Sequence, residues 1–174
     1  LSKEDENANC AAVMEDFPFL NTGDAEFVYN FKTSAGHYPM FFVAWKYFTF
    51  SVTRSGKLYR DYYGMGFTDF ASLDELANEY HLTKERVRQI VTFPQKQSHY
   101  DKNPLLVEEQ WKAYPCIYSN IVTKANSGFL SLASEEHLGL SFFSFCGIVN
   151  FVSPKTIEKV TVGTGKPMIV AYST

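Results

Sequence analysis

The run from Met40 to Thr53, MFFVAWKYFTFSVT, constrains the fold more than any other stretch of the chain. It is almost wholly apolar, so every side of it must be covered. Aromatic and β-branched residues would suit a buried strand. Its length and the Pro39 just ahead of it predict a buried helix instead. The run is shorter than the roughly 20 residues that cross a membrane, and no other apolar run reaches that length, so no membrane partner is expected. The cover must come from the rest of the chain. Its 16 Phe and 11 Tyr fall largely at helical or strand spacing and read as core. With 174 residues, 45% of them hydrophobic, the chain can close such a core as one ordinary domain or two small ones.

Before this run, LSKEDENANC is polar, is expected to be frayed, and is no signal peptide. The opening Leu1 and the end just after PMIVAYST fit a piece of a longer chain. AEFVYNFKTSAGHYP holds short apolar pieces and then breaks at Gly36 and Pro39. After the run, Arg54 to Gly56 reads as a break. In KLYRDYYG, residues Leu58, Tyr59, Tyr62 and Tyr63 share one helical face, and Gly64 is placed to end the helix. The three tyrosines could stack bases, but their spacing reads as core packing. MGFTDFA reads as a loop and QKQSHYDKNP as a polar linker. LLVEEQWKAYP gives one short helical piece. SGFLSLASEEHLGLSFFSFCGIVNFVSP gives two helices, the second capped by Ser141. TIEKVTVGTGKPMIVAY alternates, turns at Gly163 to Pro167 and alternates again, which predicts a β-hairpin. A helix at 141–152 followed by that hairpin has the order of a winged helix, with Lys155, Lys159 and Lys166 near the wing. The expected fold is mainly α: a helix-turn-helix core with added helices and a C-terminal β-hairpin. The expected boundary at residues 94–103 separates a domain at 1–93 from a helical region at 104–174.

The stretch SLDELANEYHLTKERVRQI, Ser72 to Ile90, predicts two short helices. Ser72 and Glu75 make a capping box. Leu73, Leu76, Ala77 and Tyr80 then fall at i, i+3, i+4 and i+7. His81 stands where the chain must turn, and His tolerates positive φ. Thr83 can cap the second helix. On that helix Val87, Ile90 and Val91 share one third of the circle and face the first helix. Glu85 and Gln89 lie opposite, with Lys84 and Arg88 on one flank and Arg86 on the other. Residues 83–97 hold four cations, Lys84, Arg86, Arg88 and Lys96, against Glu85. Residues 72–82 hold three acids and no cation. A net charge of −3 excludes a chain that coats nucleic acid all over, but not a local basic helix of this kind. The layout is that of a helix-turn-helix whose second helix enters a DNA major groove. Gln can bond adenine, Glu can accept from cytosine, and Arg and Lys can hold phosphates or read guanine.

The same residues resemble a known family. YRDYYGMGFTDFASLDELANEYHLTKERVRQI is similar to the fourth conserved region of the housekeeping class of bacterial RNA polymerase sigma factors, over about residues 58–91. Tyr63-Gly64-Met65 matches its helix end. Ser72-Leu73-Asp74-Glu75-Leu76 matches its first helix, and Thr83 to Ile90 its recognition helix. The resemblance implies that Lys84, Glu85 and Gln89 read bases of the −35 promoter element. It implies that Arg86 and Arg88 contact DNA mainly through the backbone. Lys84 replaces the usual Arg, which turns a bidentate guanine contact into a point charge. The recognition helix is cut short by Pro94, and nothing resembles the sigma regions that bind the polymerase core or the −10 element. The chain is therefore not a complete sigma factor.

Other chemistry is weakly represented. Cys10, Cys116 and Cys146 form no CxxC pair and read as reduced thiols in a cytoplasmic protein. VGTGKP fails as a phosphate loop, because Val160 stands where the first glycine belongs and Pro167 replaces Ser/Thr. His37, His81, His99 and His137 have no metal-ligand spacing, and His137 reads as an exposed helix end. No nucleophile motif is present, so neither enzymatic activity nor a cofactor is expected. The expected function is sequence-specific binding of duplex DNA in transcription regulation, through Thr83, Lys84, Glu85, Arg86, Arg88, Gln89 and Lys96. The alternative is a protein-interaction module that keeps the helix-turn-helix but docks onto polymerase or another subunit.

Overall fold

A computed structural model describes residues 3–66, 71–92, 105, 108–114, 127–152, 157–161 and 167–171. The fold is mainly helical, with the apolar run at its centre. That run is a helix, α3 (Met40–Thr49), and Met40 to Ala44, Phe48 and Thr49 are buried. It stops four residues short of Thr53, leaving Phe50 and Val52 at the surface. Two helices precede it, α1 (Lys3–Asp16) and α2 (Thr22–Ala35). The helix over Lys3–Cys10 corrects the expectation of a frayed start. Ala, Glu and Lys are strong helix formers, and that propensity prevails over the lack of an apolar face. The far end of α1 is tied down by Val13 and Phe17, both buried, with the Phe17 ring edge-on to Tyr38 at 5.0 Å. Asn21 caps α2 by accepting from the Asp24 amide at 2.8 Å, and Gly36 ends it at φ 85°.

The helix α4 (Arg54–Tyr63) takes in the residues 54–56 expected to be a break. Thr53 Oγ1 accepts from the Gly56 amide at 3.1 Å, so the cap lies one residue before the expected gap. Gly64 closes α4 at φ 67°. Leu58, Tyr59, Tyr62 and Tyr63 are all buried, so the three tyrosines are core. Then follow α5 (Leu73–Tyr80) and α6 (Lys84–Thr92). A 3-10 turn, Glu108–Trp111, falls within the short helical piece expected at 105–115. Next come α7 (Ser127–Glu135) and α8 (Phe142–Val152). Ser141 Oγ accepts from the Ser144 amide at 3.1 Å, the cap expected for α8. Two strands, β1 (Ile157–Thr161) and β2 (Pro167–Ala171), pair antiparallel with Ile157 opposite Ala171.

The side chains of α8 close the core over α3 and α4. Phe145 stacks on Phe41 at 4.6 Å, and Phe151 meets Phe48 edge-on at 5.1 Å. Gly147 lies flat against Tyr63, where a Cβ would come within 2.5 Å of the ring, so only glycine fits. Tyr59 donates to the Gly147 carbonyl at 2.6 Å, and Asn150 Nδ2 donates to Tyr59 Oη at 3.1 Å. One buried cluster thus runs from Val13 to Phe151, taking in residues on both sides of the expected 94–103 boundary. The linker itself lies outside the described residues. Among the described residues no helix is long and apolar enough to cross a membrane.

The polar anchor of α3 is built from far away in sequence. Pro39 offers no side-chain cap. The Met40 amide donates to Tyr114 Oη at 2.9 Å, and the Phe42 amide to Glu136 Oε1 at 3.1 Å. The Tyr114 hydroxyl lies 2.6 Å from Glu136 Oε2 and 3.0 Å from the Tyr38 carbonyl. Glu136 is fully buried, and burial pushes its carboxyl up to about 7 against the pull of Tyr114 and of the Phe42 and Phe41 amides.

Candidate nucleic-acid interface

The α5–α6 pair sits on the core by one face of each helix. Leu76 from α5 and Val87, Ile90 and Val91 from α6 are buried, while Leu73 and Ala77 are half-buried. Ser72 Oγ accepts from the Glu75 amide at 3.1 Å, and Glu75 reaches back to the Ser72 amide, which completes the capping box. His81 stands at φ 56° and ψ 44°, a left-handed residue that ends α5. Thr83 Oγ1 accepts from the Arg86 amide at 3.1 Å and so caps α6. The far end of α6 is fixed by the core. Asn150 Nδ2 donates to the Val91 carbonyl at 3.2 Å, and the Tyr63 hydroxyl lies 3.4 Å from the same oxygen.

Lys84, Glu85, Arg86, Arg88 and Gln89 are all exposed, with Glu85 and Gln89 opposite the buried face of α6 and Lys84, Arg88 and Arg86 on its flanks. The fold brings these five together with the Thr83 cap. Lys96, the seventh residue expected at the interface, lies outside the described residues, as do Pro94, Lys155 and Lys166. The exposed side chains engage one another. Arg88 grips Glu85 with two bonds, Nε at 2.9 Å and Nη2 at 2.6 Å. That bond draws the Glu85 carboxyl below its ordinary range and lifts the Arg88 guanidinium above its own. Arg86 Nη1 donates to Gln89 Oε1 at 3.4 Å, and Lys84 Nζ lies 3.6 Å from Asp74 Oδ2. Exposed pairs of this kind are weak and exchange readily with an external partner.

A second group of residues beside the interface escaped the sequence reading. Arg54, at the start of α4, donates through Nη2 to the Tyr80 carbonyl and lies 5.8 Å over the Tyr80 ring. The Tyr80 hydroxyl donates to Asp61 Oδ2 at 3.1 Å, and partial burial with the Asp61 charge pushes that phenol up to about 12. These contacts tie α4 to the end of α5 across 26 and 19 residues of sequence. Nothing local in the sequence signals them, since an arginine next to a break carries no motif. Among the described residues no group of three or more His, Cys, Asp or Glu side chains could hold a metal ion. In comparisons with known proteins the chain matches no family, no curated protein and no solved structure.

Proposed function

We propose that this chain binds duplex DNA sequence-specifically through α6 and acts in transcription regulation, in the bacterial cytoplasm and without catalysis. The observation that carries the reading is the two-sided build of α6. Val87, Ile90 and Val91 are fixed in the core, and Lys84, Glu85, Arg86, Arg88 and Gln89 stand exposed on the opposite side and the flanks. A helix so seated after a tight turn is the shape that enters a major groove. Lys84, Glu85 and Gln89 are the base readers, and Arg86 and Arg88 hold the backbone. The resemblance of residues 58–91 to the −35-reading region of sigma factors supports the same assignment. With so few phosphate contacts, affinity is modest and falls steeply with salt.

Selection from random duplexes, followed by fluorescence-anisotropy titration at several salt concentrations, tests this. Gln89→Ala is expected to relax sequence preference and to cost about 1–3 kcal/mol on the best site. Arg88→Ala is expected to weaken binding to all duplexes alike and to lower the salt slope by about one. Absence of salt-dependent binding to any duplex at high micromolar protein overturns the reading.

One observation favours a second reading, a protein-docking module for polymerase or another subunit. The basic face is interrupted by acids, Glu85 on Arg88 and Asp74 on Lys84. Under that reading, charge reversal at Asp74 weakens capture of purified RNA polymerase. Under the DNA reading it strengthens duplex binding.

A further inference from the structure

The outward face of α6 and the hollow beside it are charged differently. On the face, Arg88 meets Glu85 and Lys84 meets Asp74. The hollow has a volume of about 200 Å3 and lies where the start of α4, the turn after His81 and α6 meet. Arg54, Ser55, Leu58, Leu82, Arg86 and Ile90 line it, with no acidic side chain among the described residues that do so. In a chain of net charge −3, two arginines thus line one concave space.

Its construction suits an anion. Of the lining residues, Leu58 and Ile90 are buried and apolar, while Arg54 and Arg86 are exposed. A wall of low polarity beside cations focuses their field. Arg54 is already positioned, by the Tyr80 carbonyl on one side and the Tyr80 ring on the other. Little of its side-chain freedom remains to be lost on binding. Five N–H donors in a planar fork allow it to keep the Tyr80 bond and still present a pair of donors outward.

We infer that this hollow seats one phosphate group, held by the guanidinium groups of Arg54 and Arg86 with the Ser55 hydroxyl as a further donor. The chemistry is the same for a backbone diester of DNA and for a free phosphate. Assignment to the DNA backbone rests on the proposed function, and assignment of the seat does not. On DNA the seat fixes the strand flanking the groove that α6 enters. Arg54 then becomes a positioning contact some thirty residues ahead of the reading helix.

Two measurements on the full chain test this. The first maps inorganic phosphate onto the wild-type protein by NMR, against chloride at matched ionic strength. Saturable shifts at the Arg54, Ser55 and Arg86 amides and at the two arginine side chains are expected. Because it uses wild type, it stands even where a variant fails to fold. The second compares duplex binding of wild type, Arg54→Gln and Arg54→Lys across salt concentrations. Arg54→Gln is expected to lower the salt slope by about one without altering sequence preference, with partial recovery in Arg54→Lys. Phosphate shifts at the seat in a chain that binds no duplex keep the seat and overturn the DNA reading. Duplex binding with an unchanged salt slope in Arg54→Gln, and no phosphate shifts at these residues, overturns the seat and leaves the DNA reading standing.

Discussion

The N-termini of α5 and α3 are closed in opposite ways. At α5, Ser72 and Glu75 satisfy each other's amides within four residues of sequence. At α3, the amides of Met40 and Phe42 are met by Tyr114 and Glu136, which lie 74 and 94 residues further on. The first cap is exposed and competes with water, so its worth is small. The second is buried, where an amide left unmet would have no water to turn to. A local cap therefore stabilises one helix, whereas the remote one makes the position of α3 depend on the segment carrying Tyr114 and on the end of α7.

The largest effect that sharpens this contrast is expected from Glu136→Ala. It removes the acceptor of the Phe42 amide and the partner of the Tyr114 hydroxyl in a site closed to solvent. A loss of about 3 kcal/mol is expected from urea denaturation at pH 5. A loss below 1 kcal/mol would show that the remote cap is replaceable and that α3 is held by its apolar contacts alone.

Titration of the same carboxyl gives the next effect. Burial raises it from 4.5 to about 7, so between those values the folded chain holds a proton that the unfolded chain has released. The stabilisation is complete below pH 4.5 and is lost as pH rises through 7. Tyr114 suits both states. Toward a carboxylate it donates at 2.6 Å, and toward a protonated Glu136 it can accept while donating to the Tyr38 carbonyl at 3.0 Å. The other titratable groups nearby are Glu135, which adds to the rise, His137, next in the chain, and His37, whose ring lies 5.3 Å from that of Tyr114. Wild type is expected to lose on the order of 2–3 kcal/mol relative to Glu136→Gln between pH 4.5 and 8. Parallel stability curves for the two proteins would show that Glu136 does not titrate in that window.

At α5 the expected effect is smaller. Ser72→Ala removes the acceptor of the Glu75 amide, and about 1 kcal/mol is expected from thermal or urea unfolding. A loss equal to that of Glu136→Ala would erase the distinction between the two caps.

The contrast also explains what the sequence made legible. The capping box at Ser72, the turn at His81, the cap at Ser141, the stop at Gly64 and the burial of Met40–Thr49 each rest on residues a few positions apart. Helical periodicity also separated the buried Val87, Ile90 and Val91 from the exposed Lys84, Glu85, Arg86, Arg88 and Gln89. What stayed hidden depends on distant partners. The Glu136 cap, the Arg54–Tyr80 tie and the Asn150 bond to Val91 each join residues 26 or more positions apart, and none carries a local pattern. The polar start was misread for a different reason. The first half of α1, Lys3–Ala8, carries no apolar stripe, and helix propensity sets its form there, whereas Cys10, Val13 and Met14 pack its second half on the core.

The smallest effect bears on how tightly the local turn is specified. His81 at φ 56° does what Gly64 does at 67° and Gly36 at 85°. A side chain in the left-handed region carries a steric cost, reduced but not abolished for His. His81→Gly removes that cost in the folded chain, but it also frees the unfolded chain, which works against stability. The two terms nearly cancel, and a gain of about 0.5 kcal/mol is expected in urea unfolding. His81→Val places a β-branched residue in the same conformation and is expected to lose roughly 1–2 kcal/mol. His137, at φ 55° after α7, provides a contrast, since it adjoins the buried Glu136 and its ring lies 5.0 Å from that of Phe27. A gain in His81→Gly with a loss in His137→Gly fits a turn that only needs its backbone at the first site and a turn whose side chain is held by Phe27 beside the remote cap at the second. A loss above 1 kcal/mol in His81→Gly would mean that the imidazole itself holds α5 against α6, and the turn would then be specified by a side-chain contact as α3 is.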